Sequence, residues 1–184
     1  MANFKESPSQ TAGPYVHIGC VPTFAGLEGM YGGKDLGNTM ITGNPAGERI
    51  TLCLRVIDAA GEPMTDAMIE AWQPGPEGSF GPTEGFNHWG RQPTHAETGE
   101  AIFKTLMPGA PTGQTPHILL WIAARGINMA LITRVYFPEN DNAADPVFAI
   151  AGERAATLVA EKTDNGYVHS IHLQGDHETV FFDV

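Results

Sequence analysis

A β-sandwich in a single domain, preceded by an irregular N-terminal arm, is the fold class this all-β sequence predicts. Three observations predict it. Short stretches alternate apolar and polar residues at the period of two that suits a half-buried strand, and a helical period is almost absent. Glycine (22 copies) and proline (14 copies) punctuate the chain as turns between short strands would require. Apolar residues make up 42% of 184, enough for one sizeable core and short for two domains.

The elements follow in order. Residues 1–47 hold many glycines, with Pro8, Pro14, Pro22 and Pro45, and show little period; they form the arm. The sandwich is expected over residues 48–184. Arg49 to Ile57 puts Ile50, Leu52, Leu54 and Val56 on one face and Thr51, Cys53 and Arg55 on the other. Asp58-Ala59-Ala60-Gly61 reads as a turn, Met68 to Trp72 as the next strand, and Pro74 to Gly99 as a long loop. Ala101 to Leu106 is a strand ended by Pro108-Gly109. His117 to Ala124 and Leu131 to Phe137 are two more, joined by Arg125-Gly126-Ile127-Asn128. Ala156 to Lys162 and Tyr167 to Leu173 flank Asp164-Asn165-Gly166, where Asn-Gly suits the positive φ of a type I′ hairpin turn. Thr179 to Asp183 closes the chain, and a short helix is expected near Asp141 to Ala149 or Glu153 to Ala160.

The net charge of -11 argues against nucleic acid or an anionic membrane surface as partner. An anionic ligand would need a local arginine to overcome that field. The N-terminus has no apolar core of a signal peptide, and Ile118 to Ala124 is too short to span a bilayer. Cys20 and Cys53 are expected to be free thiols of a cytoplasmic protein. No strong metal signature exists. His169 and His172 are three apart on a strand and so face opposite ways, and His88 and His95 flank a loop.

Four stretches carry a resemblance: Ile69-Glu70-Ala71-Trp72, Gly78-Ser79-Phe80, Met107-Pro108-Gly109 and Pro116-His117-Ile118-Leu119. In order and spacing they resemble the intradiol ring-cleavage dioxygenases, non-haem iron(III) enzymes. The likeness runs from Ser9 to Val184, with Leu54 and Ala71 departing from the family's usual residues. Members that hold iron use two Tyr and two His. The first Tyr position falls on Phe80, the second on Pro111, and the His-x-His pair on His117 and Leu119. Only one donor remains, and one imidazole cannot hold a hard cation that favours anionic oxygen. The plainer reading of His117 is a strand-end histidine hydrogen-bonded in the core.

Ser9 to Gly19, Ala124 to Asn128 and the tail from Gln174 to Asp183 are similar to the iron-free subunit of two-subunit members of this family. The resemblance implies an intradiol-type sandwich whose arm packs on a homologous, iron-bearing β subunit in a higher (αβ)n oligomer. Fe(III) would belong to that partner, and no catalytic residue to this chain. The reaction implied is O2-dependent cleavage of protocatechuate between its hydroxylated carbons to 3-carboxy-cis,cis-muconate. Thr11, Gly13 and Tyr15 would line the substrate cleft, and Arg125 would meet the substrate carboxylate. The alternatives are a surface-loop arginine at 125 and packing at a proline turn for Tyr15. A free-standing sandwich that serves as a binding or structural module is the other functional class.

Overall fold

The computed structural model describes residues 10–183. Eight strands form two four-stranded sheets. The strands are β1 (Arg49–Ile57), β2 (Met68–Trp72), β3 (Trp89–Pro93), β4 (Glu100–Leu106), β5 (His117–Ala123), β6 (Leu131–Tyr136), β7 (Glu161–Thr163) and β8 (Gly166–His172). One sheet runs β4-β1-β8-β7 and the other β3-β2-β5-β6. All pairings are antiparallel except β1 with β8, where Leu52 lies against Tyr167 and Ile57 against His172 in parallel register.

The alternation in the sequence becomes the core. Leu52, Leu54 and Val56 from β1 are sealed against Ile69 and Ala71 from β2 and Ile118, Leu120 and Ile122 from β5. Residues at i and i+2 share a face, so each strand gives one row to the space between the sheets. Gln73, fully buried just after β2, bolts the sheets together. Its Nε2 donates to the Leu106 carbonyl at 2.8 Å, and its Oε1 accepts from Thr105 Oγ1 at 2.7 Å.

Five local expectations are corrected. The arm is not irregular throughout: Pro14–Cys20 forms a helix, α1, with proline in its first turn and no side-chain cap. Its stability comes from packing, since Val16 and Cys20 lie against Val21, Met68 and Ala123. The long loop contains β3, whose Gly90 and Pro93 disguise a strand; proline is tolerated because β3 is an edge. Ala156 to Lys162 is not one strand. A 3-10 helix spans Gly152–Leu158, and only Glu161–Thr163 pairs with β8. Thr179 to Asp183 is not a regular strand, yet it is pinned to β8 and β6: Thr179 N donates to the His172 carbonyl at 2.9 Å and Phe182 N to that of Ile132 at 2.8 Å.

The hairpin at Asp164-Asn165 forms, but not as a type I′ turn. Among the described residues no non-glycine residue has a positive φ; in the hairpin the positive φ falls on Gly166, 125°, the first residue of β8. The expected short helix is α2 (Pro146–Ile150), flanked by 3-10 turns. Among the described residues no helix is long and apolar enough to cross a membrane. Cys20 and Cys53 are free thiols.

Candidate functional site

Two glycine contacts bring distant loops to one place. Gly78 has φ 81°, and a Cβ there would meet the Ala110 carbonyl oxygen at 2.0 Å. At Gly109 a Cβ would meet the Pro76 oxygen at 2.3 Å. Both loops also bond to Gly75: Gly78 N and Gly109 N each donate to its carbonyl at 2.9 Å. This crossing is closed to any side chain, and it sets Phe80 and Pro111 beside the start of β5.

Phe80, Pro111, His117 and Leu119 therefore line a single cleft of about 260 Å3, completed by Trp72, Gln114 and Arg134. The four positions that the sequence singled out are neighbours in space. Phe80 and Trp72 are exposed at its mouth. His117 is buried, and its Nδ1 lies 2.8 Å from the Thr115 carbonyl, which fixes it as the donor and leaves Nε2 as the acceptor. Burial pushes the His117 imidazole below its usual range, and the positive Arg134 adds to this, against the Thr115 carbonyl and Asp145. His117 is thus neutral at pH 7.

The cation of this cleft is a guanidinium. Arg134 lies across from Leu119 in the β5–β6 pairing. Its Nη1 donates to Gln114 Oε1 at 2.7 Å and to Tyr136 Oη at 3.3 Å, and stands 3.9 Å from Asp145 Oδ1. Asp145 is fully buried and caps α2, accepting from Val147 N at 2.8 Å and Phe148 N at 3.2 Å, and from Thr115 N at 2.9 Å. Burial alone would raise its pKa, but these three N–H groups and Arg134 together hold it below the usual carboxylate range. Iron(III) does not fit this donor set. Phe80, Pro111 and Leu119 carry no ligand atom, and a guanidinium sits beside the one imidazole. Among the described residues no group of three or more His, Cys, Asp or Glu is placed to hold a metal ion.

A second constellation lies at the arm. Gly13 and Arg125 line a groove with His17, Phe24 and Asp66. Thr11 Oγ1 accepts from Gly126 N at 2.7 Å, so the arm is tied to the loop that carries Arg125. The Arg125 side chain is 74% exposed and ion-paired with Asp66. Tyr15 does not join them: it is 85% exposed on α1 and is not packed at a proline turn. The two constellations are separate. Beneath the arm, Glu70 accepts from Arg91 Nη2 at 2.6 Å and from the Trp89 and Trp72 indoles at 3.1 and 3.2 Å, while Arg91 Nη1 reaches the Cys20 carbonyl at 3.3 Å.

Sequence reasoning missed Arg134, Gln114 and Asp145. Arg134 was detectable as a charge inside an otherwise apolar strand. Asp145 was detectable as an Asp-Pro pair, a helix-start signal.

Comparison with known proteins agrees with this architecture. A family model described as "Dioxygenase" matches residues 22–175. The protocatechuate 3,4-dioxygenase alpha chain of Pseudomonas putida is 36% identical over 195 aligned residues, covering 97% of this chain and 96% of that one. The alpha chain from Burkholderia cepacia is 35% identical with full coverage of both, 100% and 100%. The beta chain from the same organism is 33% identical over 68% of this chain and 64% of its own length. An intradiol ring-cleavage dioxygenase from Tetranychus urticae shares the fold, with a TM-score of 0.59 at 18% identity over 96% of this chain and 98% of that one. The chain belongs to the intradiol dioxygenase family, on the branch of the protocatechuate 3,4-dioxygenase alpha chains.

Proposed function

We propose that this chain is the iron-free subunit of a heteromeric protocatechuate 3,4-dioxygenase and completes the substrate cleft of an iron-bearing β partner. The observation that carries this is the cleft of Phe80, Pro111, His117 and Leu119, which gathers four ligand positions and offers one donor. The names of the alpha-chain and beta-chain relatives support a two-subunit assembly and the substrate class. Fe(III), O2 activation and the hard chemistry then belong to the partner. This chain's share is positioning, exclusion of water and charge.

Arg125 is the group offered to the substrate carboxylate. Its exposed guanidinium reaches outward from a loop that Thr11 braces, and Asp66 holds its orientation. On docking, the partner removes water from this pair, and an arginine–carboxylate contact strengthens as water leaves. Gly13 gives the substrate a close backbone wall, and Tyr15, fully presented on α1, supplies an aromatic surface at the partner's edge.

Co-expression with an iron-bearing homologue tests this. The chain alone should carry no iron and no phenolate-to-iron colour, and the complex should carry iron and cleave protocatechuate. A coloured, stoichiometric iron complex of this chain alone would refute the reading. Arg125→Ala in the complex should lower kcat/KM for protocatechuate by roughly tenfold or more while sparing iron content and turnover of catechol, which lacks the carboxylate. Equal losses on both substrates, or none on either, would remove Arg125 from the substrate site.

A further inference from the structure

The cleft of Phe80 and His117 has features that loss of a metal site does not require. Three of the four ligand positions are apolar, Phe80, Pro111 and Leu119, yet they do not fill the cleft. Here a volume of about 260 Å3 remains, below the range of drug-sized pockets and suited to one substituted ring. Two large aromatic side chains stand at its mouth, Trp72 at 44% exposure and Phe80 at 62%. Its interior holds a positive charge, and none of its lining residues is acidic.

Arg134 is only partly used. Its side chain is 15% exposed, and the contacts it makes run through Nη1. Among the described residues no hydrogen bond runs through Nε or Nη2; Arg134 also borders a neighbouring cleft lined by Asp183. Together Nε and Nη2 form the edge of the guanidinium that grips a carboxylate with two parallel bonds. Asp145 does not compete for that edge. It faces Nη1 at 3.9 Å, and its oxygens are already engaged by backbone N–H groups. The neutral His117 adds a hydrogen-bond acceptor on the same wall.

We propose that this cleft is a binding site for a small aromatic carboxylate, its acid group on Arg134 and its ring against Trp72 and Phe80. The site lies wholly within this chain. It goes beyond the function proposed above and does not depend on the partner's iron. A ligand held here is bound rather than transformed, because the cleft carries no metal-ligand set. The net charge of -11 opposes any anion at long range, so binding should be moderate and should tighten with added salt at low ionic strength.

Benzoate is the probe, because it lacks the hydroxyl pair that would chelate a metal. Equilibrium dialysis against the full chain without its partner should find one benzoate per copy, with benzamide binding at least tenfold more weakly; with the iron-bearing partner present, the substrate cleft proposed above adds a second carboxylate site. Arg134→Gln should weaken benzoate at least tenfold. Phe80→Asp changes an exposed residue, spares the Asp145 contacts, and should weaken it similarly. Without the partner, Arg125→Ala should leave this binding unchanged. No saturable binding would overturn the proposal. So would binding indifferent to both Arg134→Gln and Phe80→Asp, or binding lost with Arg125→Ala. Iron content and protocatechuate turnover of the wild-type complex, measured in parallel, report on the proposed function separately.

Discussion

Asp145→Ala should cost about 3–5 kcal/mol of unfolding free energy, the largest single-residue loss expected outside the apolar core. The carboxylate has no exposure and satisfies three backbone N–H groups, of Thr115, Val147 and Phe148. Removing it leaves those donors unpaired in a dry place and deprives Arg134 of its counter-charge. It also uncaps α2, whose first turn has proline but no second polar cap. Asp145→Asn keeps some of the hydrogen bonds and should lose clearly less. Urea unfolding of the three proteins, followed by circular dichroism, measures the differences. A loss below about 1 kcal/mol for the alanine variant would show that the capping network is not a structural anchor.

Stability should also fall steeply on mild acidification, with His169 as the main cause. His169 sits on the core side of β8, and its Nε2 has no hydrogen-bond partner. Burial pushes its imidazole down to about 4 from the usual 6.5, opposed only by the Val159 carbonyl. The unfolded chain takes up a proton near 6.5, and the folded chain does not until about 4. The folded state is therefore at full strength above pH 6.5 and loses ground as pH falls toward 4, at up to about 1.4 kcal/mol per pH unit. His17 and His117, also held down chiefly by burial, act with the same sign. The lowered carboxylates of Asp145 and Glu139 lose their contribution only in more acidic solution, below the ordinary carboxylate range. His169→Leu should flatten the slope of unfolding free energy between pH 6.5 and 4. An unchanged slope would assign the acid sensitivity to other groups.

The sandwich was legible in the sequence because the strands of its core alternate. In β1, β5 and β8 the period of two survives as alternating burial, and the pattern needs no tertiary information. β3 was not legible, since an edge strand sheltered by the loops around Met40 can carry Gly90 and Pro93. The 3-10 helix at Gly152–Leu158 replaced an expected strand because tertiary packing decides such alanine-rich pieces: Leu158 is buried against Tyr136 and Val180. At the candidate site, the family resemblance places the four ligand positions on Phe80, Pro111, His117 and Leu119, each beside a glycine turn or on a strand. It could not show that Arg134 from the neighbouring strand enters among them. Cross-strand partners are set by register, which one strand alone does not encode. For the arm, Thr11 and Arg125 meet through the Gly126 backbone, while Tyr15 faces outward.

The parallel pairing of β1 with β8 bears on how the polypeptide is made. β1 is an inner strand of its sheet, and one of its two neighbours lies more than a hundred positions later, Leu52 against Tyr167. While the nascent chain is still emerging from the ribosome, that flank of β1 has nothing to pair with. Its backbone N–H and C=O groups, and the apolar row of Leu52, Leu54 and Val56, must wait until β8 has been released. Closing so long a loop is slow, and a half-finished sheet with an open edge is a template for stray strands. Translation pauses late in the message and chaperone capture of the growing chain are the points at which yield of this protein would be decided.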